Sequence, residues 1–442
     1  MSDYIEKEIS GDKFYSFPEI LEEIKYNGKW IIISPLTANW IVLENDSQLS
    51  FFHLLYDFNL EDALSRFGDN KEDAEWVIIQ LEARCFERKE THLKQNIEFV
   101  HLYLTNECNM RCPHCYMYAG PQLNNELRCD EILKTIDELA SNGIKSIVFS
   151  GGEPLLNSYF KEFVQQAYKN KMEVEVLSNG TLWNEGLIKE LAPFLSSVQI
   201  SIDGFDENSN AIVRGKGNFL KALNTVDLLL KYGVKTSVAM VPKWSENLDK
   251  DKEHYISFIR KLRDKYKMQP FEFNIVGEVW NGRDLNLSLQ DRIEFKSIVD
   301  QIFREVYGQD AEDTAFIEYH KGLGLEDNCA YGNLSIAANG EVYLCAQIQP
   351  LNSIGNIRTH TVKELLSKSK IAKELSEVSR IKPCSDCAIR YICGGDCRIK
   401  YFTYLNQGLI PKSNQIPERE CTREYKESIY DLMIRTNEQI FQ

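Results

Sequence analysis

Apolar residues fall into three successive rhythms along the chain. Over residues 1–95, strand-like apolar runs at 13–17, 30–35 and 40–43, with a turn at 35–38, give way to helical spacing. Leu49, Phe52, Leu55 and Phe58, then Ala74, Val77, Ile78, Leu81 and Cys85, recur about every 3.6 residues, which predicts amphipathic helices packed on a small sheet. Residues 88–96 are polar and charged and read as a linker. From there to about residue 308, strand runs at 99–104, 146–149, 173–177, 198–202, 234–241 and 271–276 alternate with helical stretches. Alternation at this rhythm predicts parallel β/α units. Six units fall short of the eight in a closed barrel, so the expectation is an α/β fold with a partial (β/α)6 barrel and its chemistry at the strand C-terminal ends. A helical pattern runs from Leu287 to Tyr307, and the rest is short, glycine-containing and cysteine-rich, with no repeat and no low-complexity tract. The predicted domains are 1–95, 96–310 and 311–442.

Composition narrows the class. The 442 residues are 43% hydrophobic and 26% charged, which suits a globular chain of two or three domains. No run approaches the roughly 20 apolar residues of a membrane span, and the charged start is unlike a secretory signal, so a cytoplasmic protein is expected. Twelve cysteines in that compartment point to metal rather than disulfides. A net charge of −15 argues against a nucleic-acid partner, and neither nucleic acid nor membrane is expected to bind.

The cysteine spacing carries the chemistry. Cys108, Cys112 and Cys115 form C-x3-C-x2-C directly after the first barrel strand. Three thiolates leave one iron of a 4Fe-4S cube open, whereas electron-transfer clusters normally take four cysteines. After the second strand comes Ser150-Gly151-Gly152-Glu153-Pro154, after the third Ser178-Asn179-Gly180, and Ser201-Ile202-Asp203-Gly204 closes the fourth. At the far end, Cys329, Gly340 and Cys345 are followed by Cys384-x2-Cys387-x5-Cys393-x3-Cys397 and then Cys421. A tetrahedral zinc site from Cys384, Cys387, Cys393 and Cys397 is the structural alternative for this block. Cys85 and Cys129 sit in apolar helical patterns and read as core residues.

Over residues 98–310 the cysteine loop and the Gly-Gly-Glu run, in that order and register, resemble the radical S-adenosylmethionine (SAM) superfamily. The resemblance implies that Cys108, Cys112 and Cys115 hold a cluster whose open iron chelates SAM. It implies further SAM contacts from Gly151, Gly152, Glu153, Ser178, Asn179, Ser201, Arg214 and Gly277, with His114 packing near the adenine. Residues 329–421 resemble the seven-cysteine SPASM extension, which implies two auxiliary 4Fe-4S clusters and three in all. By that resemblance Cys384, Cys387, Cys393 and Cys421 ligate the outer cluster, and Cys329, Cys345 and Cys397 the inner one. The inner cluster then lacks a thiolate, leaving His320, water or a substrate group to complete it.

The N-terminal strands-then-helices block looks like the recognition element (RRE) of enzymes that modify ribosomally synthesised, post-translationally modified peptides (RiPPs). That winged-helix-like module captures an extended leader peptide beside its third strand. Here the groove is expected between residues 40–43 and the helix over 71–85. Glu44, Asp46, Asp57, Glu61 and Asp62 disfavour a DNA-reading role. The combination implies a maturase that abstracts hydrogen from a leader-bearing precursor peptide and installs an intrapeptide crosslink, with a thioether ahead of carbon–carbon or carbon–oxygen linkage. Flavodoxin or ferredoxin is the expected reductant. A sulfatase-maturating or other protein dehydrogenase, and a non-catalytic iron-sulfur sensor or electron carrier, are the alternatives. No catalytic acid or base is assigned, since Asp203, Glu278 and Asp284 are ambiguous without geometry.

Overall fold

The computed structural model describes residues 9–68, 70–87, 99–244, 247–277, 282–285, 287–308, 331–347, 351–395, 397–398 and 421–441. Near the N-terminus, β1 (Glu22–Tyr26), β2 (Lys29–Ser34) and β3 (Asn39–Leu43) form an antiparallel sheet in that order. The β1–β2 turn places Asn27 and Gly28 at φ 48° and 80°, the left-handed pair that suits a two-residue hairpin. Three helices follow: α1 (Asp46–Asp57), α2 (Leu60–Phe67) and α3 (Lys71–Ala83). The side chains of Asn45 and Asn59 cap the first two by accepting from Gln48 N and Asp62 N.

The alternation of a strand explains the burial. Ile32, Ile41 and Leu43 face the three helices, while Ile31, Ile33, Trp40 and Val42 join Ala388, Ile389, Ile392, Met433 and Ile434 of the C-terminal region. Both faces are therefore covered, which is why residues 30–35 read as a continuous apolar run rather than an alternating one.

Three expectations change here. Residues 13–17 are not a strand, because Tyr15 and Phe17 are used to pack on the helices, with Phe17 at 5.0 Å from Phe52. The first strand is Glu22–Tyr26, and α2 is additional to the predicted helices. Cys85 is exposed rather than buried: α3 ends at Ala83, Cys85 turns at φ 46°, and Phe86 is the side chain carried inward.

The middle of the chain follows the predicted alternation. Strands β4 (Phe99–Tyr103), β5 (Ser146–Ser150), β6 (Glu173–Ser178), β7 (Ser197–Ser201), β8 (Lys235–Met240) and β9 (Phe271–Ile275) are parallel and adjacent in chain order. Between and after them run α4 (Cys129–Ser141), α5 (Phe160–Lys169), α6 (Glu185–Leu191), α7 (Glu207–Arg214), α8 (Phe219–Lys231), α9 (Leu248–Tyr266) and α10 (Leu289–Tyr307). Cys129, at the first turn of α4, packs partly buried against the main core.

The sheet continues beyond β4. Strand β10 (Ser335–Ile336) pairs parallel with β4, and β11 (Glu341–Tyr343) and β12 (Gly355–Asn356) add antiparallel, giving nine strands from β12 to β9. Helices α11 (Val362–Leu375), α12 (Arg390–Cys393) and α13 (Arg423–Phe441) complete the described α-helices. Among the described residues no helix is long and apolar enough to cross a membrane.

Candidate active site at the strand ends

The cysteine loop is docked by backbone on backbone. Gly152 N donates to Thr105 O and Glu153 N to Glu107 O, both at 2.8 Å. A Cβ at Gly151 would stand 2.4 Å from Thr105 O, and one at Gly152 would stand 2.1 Å from Glu107 O. The glycines thus make room for the loop's own backbone, which refines the expectation that they open space for a cofactor; their backbone still lines the cavity beside the loop.

Glu153 is fully buried and is not among the cavity-lining residues. Its carboxylate accepts from Ser178 Oγ and Asn179 N at 2.8 Å each and from Leu155 N at 3.4 Å. Burial pushes its pKa up to about 7, against those hydrogen bonds, which favour the charged form. Ser178 Oγ also accepts from Gly180 N and Trp183 Nε1. Asn179 reaches back to the cysteine loop, donating through Nδ2 to Asn109 Oδ1 at 2.8 Å. Glu153, Ser178 and Asn179 therefore form one polar clasp that ties β5, β6 and the loop together.

Asp203, which the sequence left ambiguous, is the hub of the opposite side. Fully buried, it accepts from Val241 N at 2.9 Å through Oδ1, and Oδ2 lies 2.6 Å from Arg214 Nε and 3.5 Å from His114 Nε2. Burial lowers the pKa of His114, so the imidazole is neutral near pH 7 and Arg214 is the positive partner of the carboxylate. Gly204 needs its missing side chain: a Cβ there would stand 2.1 Å from Asn210 N.

These residues surround a cavity of about 340 Å³ at the strand C-terminal ends. Cys108, Cys112 and Cys115 line it together with Gly151, Gly152, Ser178, Asn179, Ser201, Arg214 and His114. Gly277 follows the lining residue Val276, and a Cβ on it would meet nothing closer than 3.9 Å. Glu278 lies outside the described residues, and Asp284 is exposed. Gln199, Ala239 and Gln347, which sequence reasoning missed, also line the cavity. Gln199, Ser201 and Asp203 stand at alternate positions, so a polar residue two before the motif was a signal that could have been followed.

The donor set fits an iron-sulfur cube with SAM on its open iron. Three thiols share one wall with apposed backbone and a guanidinium. Among the described residues no three His, Cys, Asp or Glu side chains close on one point as around a single ion. A cube spreads its thiolates over three irons, so its ligands stand wider apart. Burial raises the Cys108 thiol to about 11, so ligation there displaces a proton.

In the C-terminal region Cys384 is buried, Cys387 N donates to Cys384 O at 2.9 Å, and Cys393 ends α12 close by in sequence. Burial foremost, with the nearby Cys421 thiol adding to it, raises the Cys387 pKa, so these two cysteines are neighbours. Cys345 follows β11 and lies near the buried Tyr103 and the half-buried Tyr116, beside the first cysteine loop. Cys397 packs partly buried against the main core, while Cys329 and His320 lie outside the described residues. The groove expected between β3 and α3 is filled by Gln80, which is fully buried there and bonded to Val42.

The radical SAM superfamily profile matches residues 102–259, and that of SPASM, an iron-sulfur cluster-binding domain, matches residues 328–388. The antilisterial bacteriocin subtilosin biosynthesis protein AlbA of Bacillus subtilis (strain 168) is 26% identical over 305 residues, 67% of this chain and 66% of that protein. The sporulation killing factor maturation protein SkfB of the same strain is 36% identical over 140 residues, 31% of this chain and 34% of that protein. The chain thus spans just under two thirds of the first relative and about a third of the second. A solved structure, native anSMEcpe with bound AdoMet, superposes with a TM-score of 0.56 at 18% identity, covering 77% of this chain and 98% of that one. At that identity the likeness speaks for the fold.

Proposed function

For a chain that belongs to the radical SAM superfamily and carries a SPASM domain behind its barrel, we propose the role of a peptide maturase that crosslinks a ribosomally made precursor. The observation that carries the reading is the convergence of three loop thiols, the Gly151–Gly152 backbone and Arg214 on one cavity. The biosynthesis and maturation roles in the names of the two bacterial relatives support the peptide substrate.

When bound, the cluster and SAM supply an electron and a carbon-centred radical that removes hydrogen from the substrate. The chain's own residues prepare for this. Asp203 pairs with Arg214 through Nε and holds the guanidinium at the cavity, where it would meet the carboxylate of bound SAM. The Glu153 clasp holds the loop and β6 in register, so Ser178 and Asn179 present their backbone at the cavity wall. Met110, Leu177, Val241 and Val276 keep water from the reacting centre. Gly277 leaves room for the adenine beside Val276, and Ser201 contributes a hydroxyl.

In this reading residues 1–95 hold the leader, 96–310 run the chemistry, and 311–442 carry two auxiliary clusters that accept the surplus electron from the substrate. Seven cysteines cannot fill two four-thiolate clusters, and an open inner iron that takes a substrate thiolate favours a thioether. Flavodoxin or ferredoxin supplies the first electron, in the cytoplasm. The test is anaerobic turnover with SAM, reductant and candidate short precursor peptides. Release of 5′-deoxyadenosine is expected to rise with the peptide and to vanish in Cys112→Ala. Release that ignores the peptide and instead follows a folded protein substrate overturns the reading in favour of a protein dehydrogenase.

A further inference from the structure

The edge of β3 is closed by side chains that imitate a strand. Gln80, on α3, accepts from Val42 N at 3.0 Å through Oε1 and donates through Nε2 to Val42 O at 2.6 Å. Both bonds point away from β2, because an antiparallel strand sends alternate residues to each neighbour. The other donors at alternate positions are taken in the same way: Trp40 N bonds Asn39 Oδ1 and Glu44 N bonds Gln48 Oε1. A primary amide offers one acceptor and one donor side by side, as a peptide unit does. Gln80 and Val42 are both fully buried, so the pair is sealed from water.

A second observation lies on the helices flanking this strand. Asn437 of α13 is fully buried and neither of its amide atoms has a partner, and Trp76 Nε1 of α3 is likewise unpartnered. Phe441, one turn beyond Asn437, packs edge-on against Trp76 at 5.6 Å. Buried polar groups without partners are rare in folded chains, and an incoming backbone supplies what they lack.

We propose that Gln80 is a strand-mimicking plug, and that an extended peptide leader docks on β3 by taking over its two bonds to Val42. The proposal rests on the leader reading above and adds to it the gate the leader must open. Gln80 stands with Ala74, Val77 and Leu81 among the buried residues of α3, and its amide satisfies both Val42 backbone groups that an aliphatic residue would leave unbonded, as a docked peptide unit would.

The test is fluorescence anisotropy on the full chain with a labelled synthetic peptide carrying the N-terminal half of the candidate precursor that raises 5′-deoxyadenosine release. Gln80→Leu leaves Val42 unbonded in the free protein, so the peptide is expected to bind about tenfold tighter than to wild type. A variant that binds equally or more weakly, while wild type binds, overturns the plug and leaves the leader reading standing. Binding by neither form overturns both. Should the variant fold poorly, exchange of the Gln80 side-chain amide protons in 15N-glutamine-labelled wild type answers the same question. They are expected to be protected in the free protein and to lose protection with peptide bound, and protection that persists in the complex overturns the plug.

Discussion

Burial sets the chemistry of Glu153. Its pKa in the folded chain, about 7, lies above the ordinary 4.5, so the folded state holds a proton that the unfolded state releases first. The stability tied to this group is present below about pH 4.5 and is lost as pH rises to 7, by about 3 kcal/mol. Glu153→Gln cannot ionise, so the difference in unfolding free energy between wild type and variant is expected to shift against wild type across that window, read by chemical denaturation of the metal-free protein. Asp203 is governed by its ion pair instead. Asp203→Asn strands a buried Arg214 and is expected to cost about 3–5 kcal/mol and to raise the KM for SAM, the second effect separating cofactor binding from folding alone. Gly152→Ala forces a Cβ against Glu107 O, and overpacking of this kind costs about 1–3 kcal/mol. Because the clash pushes on the cysteine loop, iron content after anaerobic reconstitution is expected to fall well below that of wild type.

At the scale of elements, the parallel strands were legible because each is a short apolar run set off by a helix, and all six stand within a few residues of their predicted places. The cysteine loop and the Gly-Gly-Glu run were legible because strand ends are where such barrels keep their chemistry. The N-terminal strand was not. Glu22, Glu23 and Lys25 put three charges on an edge, and pairing with β2 overrides that composition. Nor does sequence alone disclose that β10 docks on β4, since two residues carry too little pattern to mark a strand. Nor does helical spacing mark Gln80, whose part depends on a strand 38 residues earlier. The C-terminal helix closes the same sheet from its other face. Met433, fully buried against Ile31, Ile33, Trp40 and Val42, is expected to cost about 2–5 kcal/mol on change to Ala, read as a fall in thermal midpoint of the full chain.

For the whole molecule, two regions far apart in sequence are joined through that small sheet. α13 ties the N-terminal sheet to the cysteine-rich region, with Lys29 bridging Glu44 and Glu438 at 2.8 Å each. Cys345, carried on the strand extension of the barrel sheet, stands beside the first cysteine loop through Tyr103 and Tyr116. The N-terminal sheet is thus tied to the cysteine-rich region, and Cys345 to the cavity with the three loop cysteines. The measurement that bears most directly on the central claim is the intact mass of a candidate precursor peptide after anaerobic turnover with the reconstituted chain, SAM and reductant. The account predicts a loss of about 2 Da, the two hydrogens given up as the crosslink closes. An unchanged mass alongside sustained 5′-deoxyadenosine release would contradict it.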